Sequence, residues 1–144
     1  MLYTQKEKVL AYIVRQEGEA VKMLIFRHLA YPEAGVQVPA GTVEAGEEKL
    51  AALLREVKEE SGLTTFEEIR LIGTTTFFAH SKQEIHQRYY YQLDFGGVSP
   101  VSFEHQVSGN GIDKNLFFVY EWVSIDKLPK LAADQDEMLV NIQS

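Results

Sequence analysis

The densest set of chemically capable side chains is Arg55-Glu56-Val57-Lys58-Glu59-Glu60-Ser61-Gly62. Glu56, Glu59 and Glu60 stand at i, i+3 and i+4, so a helix brings all three carboxylates to one side. Each like-charge pair at that spacing costs roughly 0.2–0.5 kcal/mol. The C-terminal end of a helix moreover favours cations, not anions. Arg55 can reach Glu59, but one arginine does not neutralise three carboxylates. A cluster of this kind is either fully solvated or built to hold cations. Donors that are all oxygen suit hard divalent ions such as Mg²⁺ or Mn²⁺.

The element that positions them is a helix over Glu47–Ser61. Leu50, Leu53, Leu54 and Val57 recur at i, i+3, i+4 and i+7, which predicts one apolar stripe. Gly62 is a natural left-handed terminator. Glu47 and Glu48 are expected in the first turn, where the helix dipole favours negative charge.

The rest of the chain reads as strands around this helix. Val9–Val14 and Val21–Phe26 are near-continuous apolar runs separated by Glu17-Gly18-Glu19, which predicts a hairpin covered on both faces. Gly35–Val38 reads as a short strand closed by Pro39. Further strand signals lie at Leu71–Phe78, Arg88–Phe95 and Leu116–Val123. Gly96–Asn115 is a long connection carrying Gly, Pro and Ser-Gly-Asn-Gly, with a short strand expected around Val101–Phe103. Ala132–Ile142 is expected to form a second helix.

At 144 residues the chain fits a single domain over 1–144 with one hydrophobic core. It has no cysteine, which removes disulfides, thiolate metal sites and cysteine nucleophiles. No signal-peptide or membrane-length apolar run is present, so a cytoplasmic protein without a membrane partner is expected. The net charge of −7 argues against a nucleic-acid duplex as partner. It does not argue against a small phosphorylated ligand, because a divalent cation can bridge acid to phosphate.

The spacing of Gly41, Glu47, Arg55-Glu56, Val57, Glu59-Glu60, Gly62 and Leu63 resembles the Nudix box of the Nudix hydrolases at every specified position. At average amino-acid usage such a match arises by chance roughly once in 10⁹ starting points. The resemblance implies an α/β (α+β) fold, an α/β/α sandwich with a mixed β-sheet. It implies hydrolysis of a diphosphate bond in a nucleoside diphosphate linked to another group, with Mg²⁺ or Mn²⁺. Glu59 and Glu60 then look like the main metal ligands, and Glu56 like a further ligand or the base that activates water. Arg55 looks like the residue that orients a glutamate. Glu47 looks like an additional metal or orienting group, and the backbone near Ala40–Gly41 like a further ligand.

Substrate signals are thinner. Pro39-Ala40-Gly41 resembles members acting on ADP-ribose and related nucleotide sugars. The alternatives are a nucleoside triphosphate or dinucleoside polyphosphate pyrophosphohydrolase, or a non-catalytic nucleotide-binding domain. A homodimer is left open. Arg27 and His28 end the second strand, where they could point at phosphate. Phe77, Phe78, Tyr89, Tyr90 and Tyr91 read mainly as core, with base stacking as the other reading. His80 and His86 read as surface residues around a polar turn. Glu104, His105, Asp113 and Glu121 are late-chain candidates to complete the site.

Overall fold

The computed structural model describes residues 2–144. Strands β1 (Thr4–Glu17) and β2 (Ala20–His28) form the expected antiparallel hairpin, turning through Gly18 at φ 61°. Both apolar runs are buried because the hairpin lies in the middle of the sheet. Val9, Ala11, Ile13, Leu24 and Phe26 face one core. Leu10, Tyr12, Val14, Met23 and Ile25 face another on the opposite side. Period-2 alternation with both faces apolar is what a central strand looks like in sequence.

The remaining strands are β3 (Ala40–Thr42), β4 (Phe66–Ala79), β5 (Glu84–Phe95), β6 (Ser102–Gln106) and β7 (Phe117–Ser124). The sheet runs β4-β5-β1-β2-β7-β6, and β3 also pairs with β1. The β1–β5 pairing is parallel and the others are antiparallel, so the sheet is mixed, as expected.

The helix α1 (Lys49–Ser61) covers the first face. Its buried side is Ala52, Leu53, Val57, Glu60 and Ser61. The expected stripe is therefore rotated. Leu50 and Leu54 remain 46% and 39% exposed, while Glu60 turns inward. The helix also begins after Glu47 and Glu48, so neither lies in its first turn. Gly62 ends it as expected, at φ 78° with its N–H donating to the Lys58 carbonyl.

The second face is covered by the C-terminal segment, but not by a second α-helix. Ala132–Asp134 and Leu139–Asn141 are single 3₁₀ turns. Ala133 and Asp134 sit at φ 51° and 56°, which no right-handed helix tolerates. Tertiary hydrogen bonds hold them there. Tyr12 OH donates to the Gln135 carbonyl, and Gln135 Oε1 accepts from the Val38 N–H at 2.9 Å. Asn141 Nδ2 donates to the Ile72 carbonyl at 2.8 Å, and the Gln143 N–H donates to Gln92 Oε1 at 2.8 Å. Leu131, Met138, Leu139 and Ile142 close the core beneath. The sheet is thus sandwiched between a helix and a layer of turns.

Two further expectations shift. Gly35–Val38 makes only isolated bridges, Phe26 to Gln37 and Val36 to Leu131. The real strand follows it as β3, whose Ala-Gly-Thr carries no apolar alternation to announce it. His86 is buried, not a surface residue, and Phe78 is 52% exposed, not core.

Leu53→Ala should cost about 2–5 kcal/mol, the usual range for a fully buried leucine. Leu54→Ala, on the same helix but outside the core, should cost about 1 kcal/mol or less. Denaturant unfolding of both variants checks the rotation of the helix.

Candidate functional site

Arg55 is the centre of the site. Its Nε donates to Glu47 Oε2 at 2.8 Å and its Nη2 to Glu47 Oε1 at 3.0 Å, a two-pronged pairing that matches the guanidinium plane. Nη1 donates to Glu56 Oε1 at 2.8 Å and stands 3.5 Å from Glu59 Oε2. Nη2 also donates to the Thr42 carbonyl at 3.2 Å. One guanidinium therefore joins the loop before the helix, the helix itself and β3. Glu47 in turn accepts from the Glu44 N–H at 3.0 Å. Its carboxyl is held down to about 2, first by the Arg55 hydrogen bonds and then by that N–H.

Glu60 lies outside this embrace. It accepts from the Ala40 N–H at 3.3 Å and its carboxyl meets that of Glu56. Burial, then the hydrogen bond and charge of Glu56, push its pKa well up. Glu59 is raised too, by burial first and Glu56 second. Arg55 and the carboxylates thus leave an excess of acid in a half-closed place.

Backbone closes in around them. A Cβ on Gly41 would fall 2.0 Å from Glu56 Cδ, so only glycine lets β3 lie against that carboxyl. Gly109, at φ +91°, is in the same position over Glu59, where a Cβ would fall 2.5 Å from Cδ. The Ser108 N–H donates to the Glu59 carbonyl at 3.0 Å, and a ring nitrogen of His105 lies 3.2 Å from the same oxygen. The late loop is thereby seated on the C-terminal end of α1. Together these parts enclose a cavity of about 520 Å³, with Ala40, Thr42, Arg55, Glu56, Glu59, Glu60 and Asp113 on its walls.

Asp113 is the late acid that reaches the cavity. Glu104 is exposed on β6. Glu121 and Arg27 face each other at 4.0 Å on exposed parts of β7 and β2, and neither lines the cavity. His28 packs against Phe26 and Phe118. Tyr90 is core, while Tyr89 and Tyr91 are half-buried against the helix-side core. The sequence reading missed Thr42 and Glu44 at the cavity, and Gly109 over Glu59. Only the Ser-Gly-Asn-Gly run hinted at the last.

The NUDIX domain family model matches residues 4–142. The chain belongs to the NUDIX family. In structure, this Nudix domain is similar to a MutT NUDIX hydrolase from Burkholderia pseudomallei, with a TM-score of 0.73 and 22% identity, over 97% of this chain and 99% of that one. It is also similar to the NUDIX domain of Shewanella oneidensis NrtR complexed with ADP ribose, with a TM-score of 0.70 and 15% identity, over 96% and 86%. A C. elegans Ap4A hydrolase aligns with a TM-score of 0.57 and 23% identity, over 97% and 92%. No curated protein matches in sequence. No helix among the described residues is long and apolar enough to cross a membrane.

In this Nudix domain the donor chemistry fits a hard divalent cation. Glu56, Glu59 and Glu60 offer oxygen only, and two of them meet carboxyl to carboxyl. Among the described residues no three acidic or histidine side chains already stand as a coordination sphere. Arg55 Nη1 instead lies close to Glu56 and Glu59. Cation entry would have to redirect those carboxylates from the guanidinium.

Glu47 gains its low pKa on folding, so its contribution to stability is full above about 4.5 and is lost as pH falls toward 2. Glu84, held at about 2 by His86 and Lys6, titrates in the same window. Denaturant midpoints measured at stepped acid pH should therefore fall across that window. Glu47→Gln should remove part of the slope. A second expectation concerns Gly41→Ala, whose Cβ must displace Glu56. It should weaken Mn²⁺ binding, read by calorimetry, while the circular dichroism spectrum stays that of the parent.

Proposed function

We propose that this chain is a divalent-cation-dependent hydrolase of the diphosphate bond in a nucleoside diphosphate linked to another group, with Mg²⁺ or Mn²⁺ as cofactor. One observation carries the reading: Glu56, Glu59 and Glu60 share one wall of a cavity, and Arg55, itself held by Glu47, stands among them. When bound, the cation supplies charge neutralisation for the diphosphate and a lowered pKa for a water that attacks phosphorus.

The chain's own residues do the rest. Glu59 and Glu60 are the metal ligands, with the backbone at Ala40 beside them. Glu56 is a further ligand or the base that takes the proton of the attacking water. Arg55 Nη1 holds one Glu56 oxygen and so orients that carboxyl. Glu47 keeps the Arg55 fork in plane. Gly41 lets β3 approach the reacting groups. No protein nucleophile takes part, in keeping with a chain that has no cysteine.

A nucleotide sugar of the ADP-ribose kind is the preferred substrate class. Pro39-Ala40-Gly41 points that way, and the similar NrtR domain is complexed with ADP ribose. The similar Ap4A hydrolase keeps dinucleoside polyphosphates as the second reading.

The test is phosphate or nucleotide release from a panel of ADP-ribose, nucleotide sugars, dinucleoside polyphosphates, NADH and dNTPs, each with Mg²⁺ and Mn²⁺. ADP-ribose should be cleaved to AMP and ribose phosphate. Glu59→Gln should lower kcat at least about 100-fold, the size of effect that several kcal/mol of lost transition-state stabilisation implies. Its fold should stay intact by circular dichroism. Near-normal turnover in folded Glu59→Gln would overturn the assignment.

A further inference from the structure

The other face of the sheet brings Lys6, Lys8 and Arg88 close together, and one of these cations lacks an acidic partner among the described residues. Lys8 in β1 is in register with Thr42 of β3 on one side and Arg88 of β5 on the other. Lys6 is likewise in register with His86. Strand alternation puts Lys6 and Lys8 on the face of Leu10 and Tyr12, away from α1. Like charges directly opposite each other on a sheet are destabilising. Net charge does not explain the grouping, since the chain as a whole is at −7.

The nearby acids are already taken. Glu84 pairs with Lys6 at 2.8 Å and with His86 at 2.8 Å. Glu137 pairs with Arg88 at 2.9 Å. Among the described residues no carboxylate lies within 4.0 Å of the Lys8 or Lys82 ammonium. Lys8 Nζ has one side-chain partner, the neutral Thr42 hydroxyl at 2.6 Å. An ammonium has three donors, so this one is under-used. Burial lowers its pKa first, and Lys6 and Lys82 add to the effect.

The position matters as much as the charge. Thr42 lines the cavity, and its carbonyl accepts from Arg55. Lys8 itself is not on the cavity wall; its ammonium meets that wall through the Thr42 hydroxyl. Gly41, between Ala40 and Thr42, has Glu56 pressed against its other side. Glu56 is close enough to act on Lys8 electrostatically.

We propose that Lys8 is a phosphate-binding residue of this site, its ammonium taking a non-bridging oxygen of the substrate's diphosphate from the side of β3 opposite the carboxylates. The proposal rests on the hydrolase reading above and adds to it a metal-independent hold on the anion. The substrate then meets two kinds of positive charge: cations on the carboxylate wall and a fixed ammonium across the strand. Lys is suited to this as a compact point charge that needs no planar partner. Lys82 adds attraction from further out.

The test separates anion binding from turnover. Inorganic pyrophosphate is titrated calorimetrically into the parent, Lys8→Gln and Lys8→Arg in the presence of EDTA. Gln keeps a donor for Thr42 and loses the charge. Lys8→Gln should raise the pyrophosphate Kd about tenfold or more, and Lys8→Arg should stay within about threefold of the parent. With Mg²⁺ and the best panel substrate, Lys8→Gln should raise KM with kcat changed far less. An unchanged Kd in folded Lys8→Gln, or no metal-free binding by the parent, overturns the proposal. Neither result touches the hydrolase reading, which fails instead if the parent cleaves nothing in the panel. Should Lys8→Gln not fold, Lys8→Met replaces it, with the same expectations.

Discussion

The site depends on one guanidinium lying among carboxylates that repel each other. Arg55 reaches Glu47, Glu56 and Glu59, and approaches Glu44 at 3.8 Å. Its charge is sufficient to order the cluster and insufficient to neutralise it. That imbalance separates a structural ion-pair network from a site. In a purely structural network the charges would close on themselves. Here Glu60 is left against Glu56 with burial opposing its ionisation. The same bonds make Arg55 a fastener, because Glu47 belongs to the loop before the helix and Thr42 to β3. Moving any of these elements would disturb the carboxylates.

The sheet supplies the rigidity on which this arrangement relies. β1 is the structural axis: it pairs with β5, β2 and β3, and its residues 9–14 are buried on both faces. α1 presses on one side of it through Leu53 and Val57. On the other side the C-terminal turns are pinned through Gln135, Asn141 and Gln143. Tyr120, fully buried on β7, donates to the Glu60 carbonyl at 2.9 Å and ties the end of the helix to the core. The helix end is thus held from below by Tyr120 and from above by the late loop. A carboxylate cluster on a free helix end would relax apart; this one is clamped.

The two faces differ in how their charges are matched. On the α1 side the acids outnumber Arg55, whereas on the other side Lys6 and Arg88 are paired with Glu84 and Glu137 and Lys8 has no carboxylate within 4.0 Å among the described residues. A three-residue strand with glycine at its centre is a thin partition between Lys8 and Glu56. A larger strand residue at position 41 would push them apart.

The sequence alone determined the carboxylate set and the family resemblance, because both are local. Spacings of three and four residues put Glu56, Glu59 and Glu60 on one side of a helix whatever the rest of the chain does. The β1–β2 hairpin and the Gly62 terminator were legible for the same reason. What the tertiary structure decided was everything that depends on partners distant in the chain. The helix rotated to bury Glu60 and leave Leu54 half out, since the sheet beneath, not the helix, chooses which face is covered. The C-terminal segment became turns because Tyr12, Val38, Ile72 and Gln92 hold its polar groups. His86 became buried because β5 lies inside the sheet. Asp113 and Gly109 entered the site, and Arg27 stayed outside the cavity, through the packing of loops and strands that no local spacing encodes.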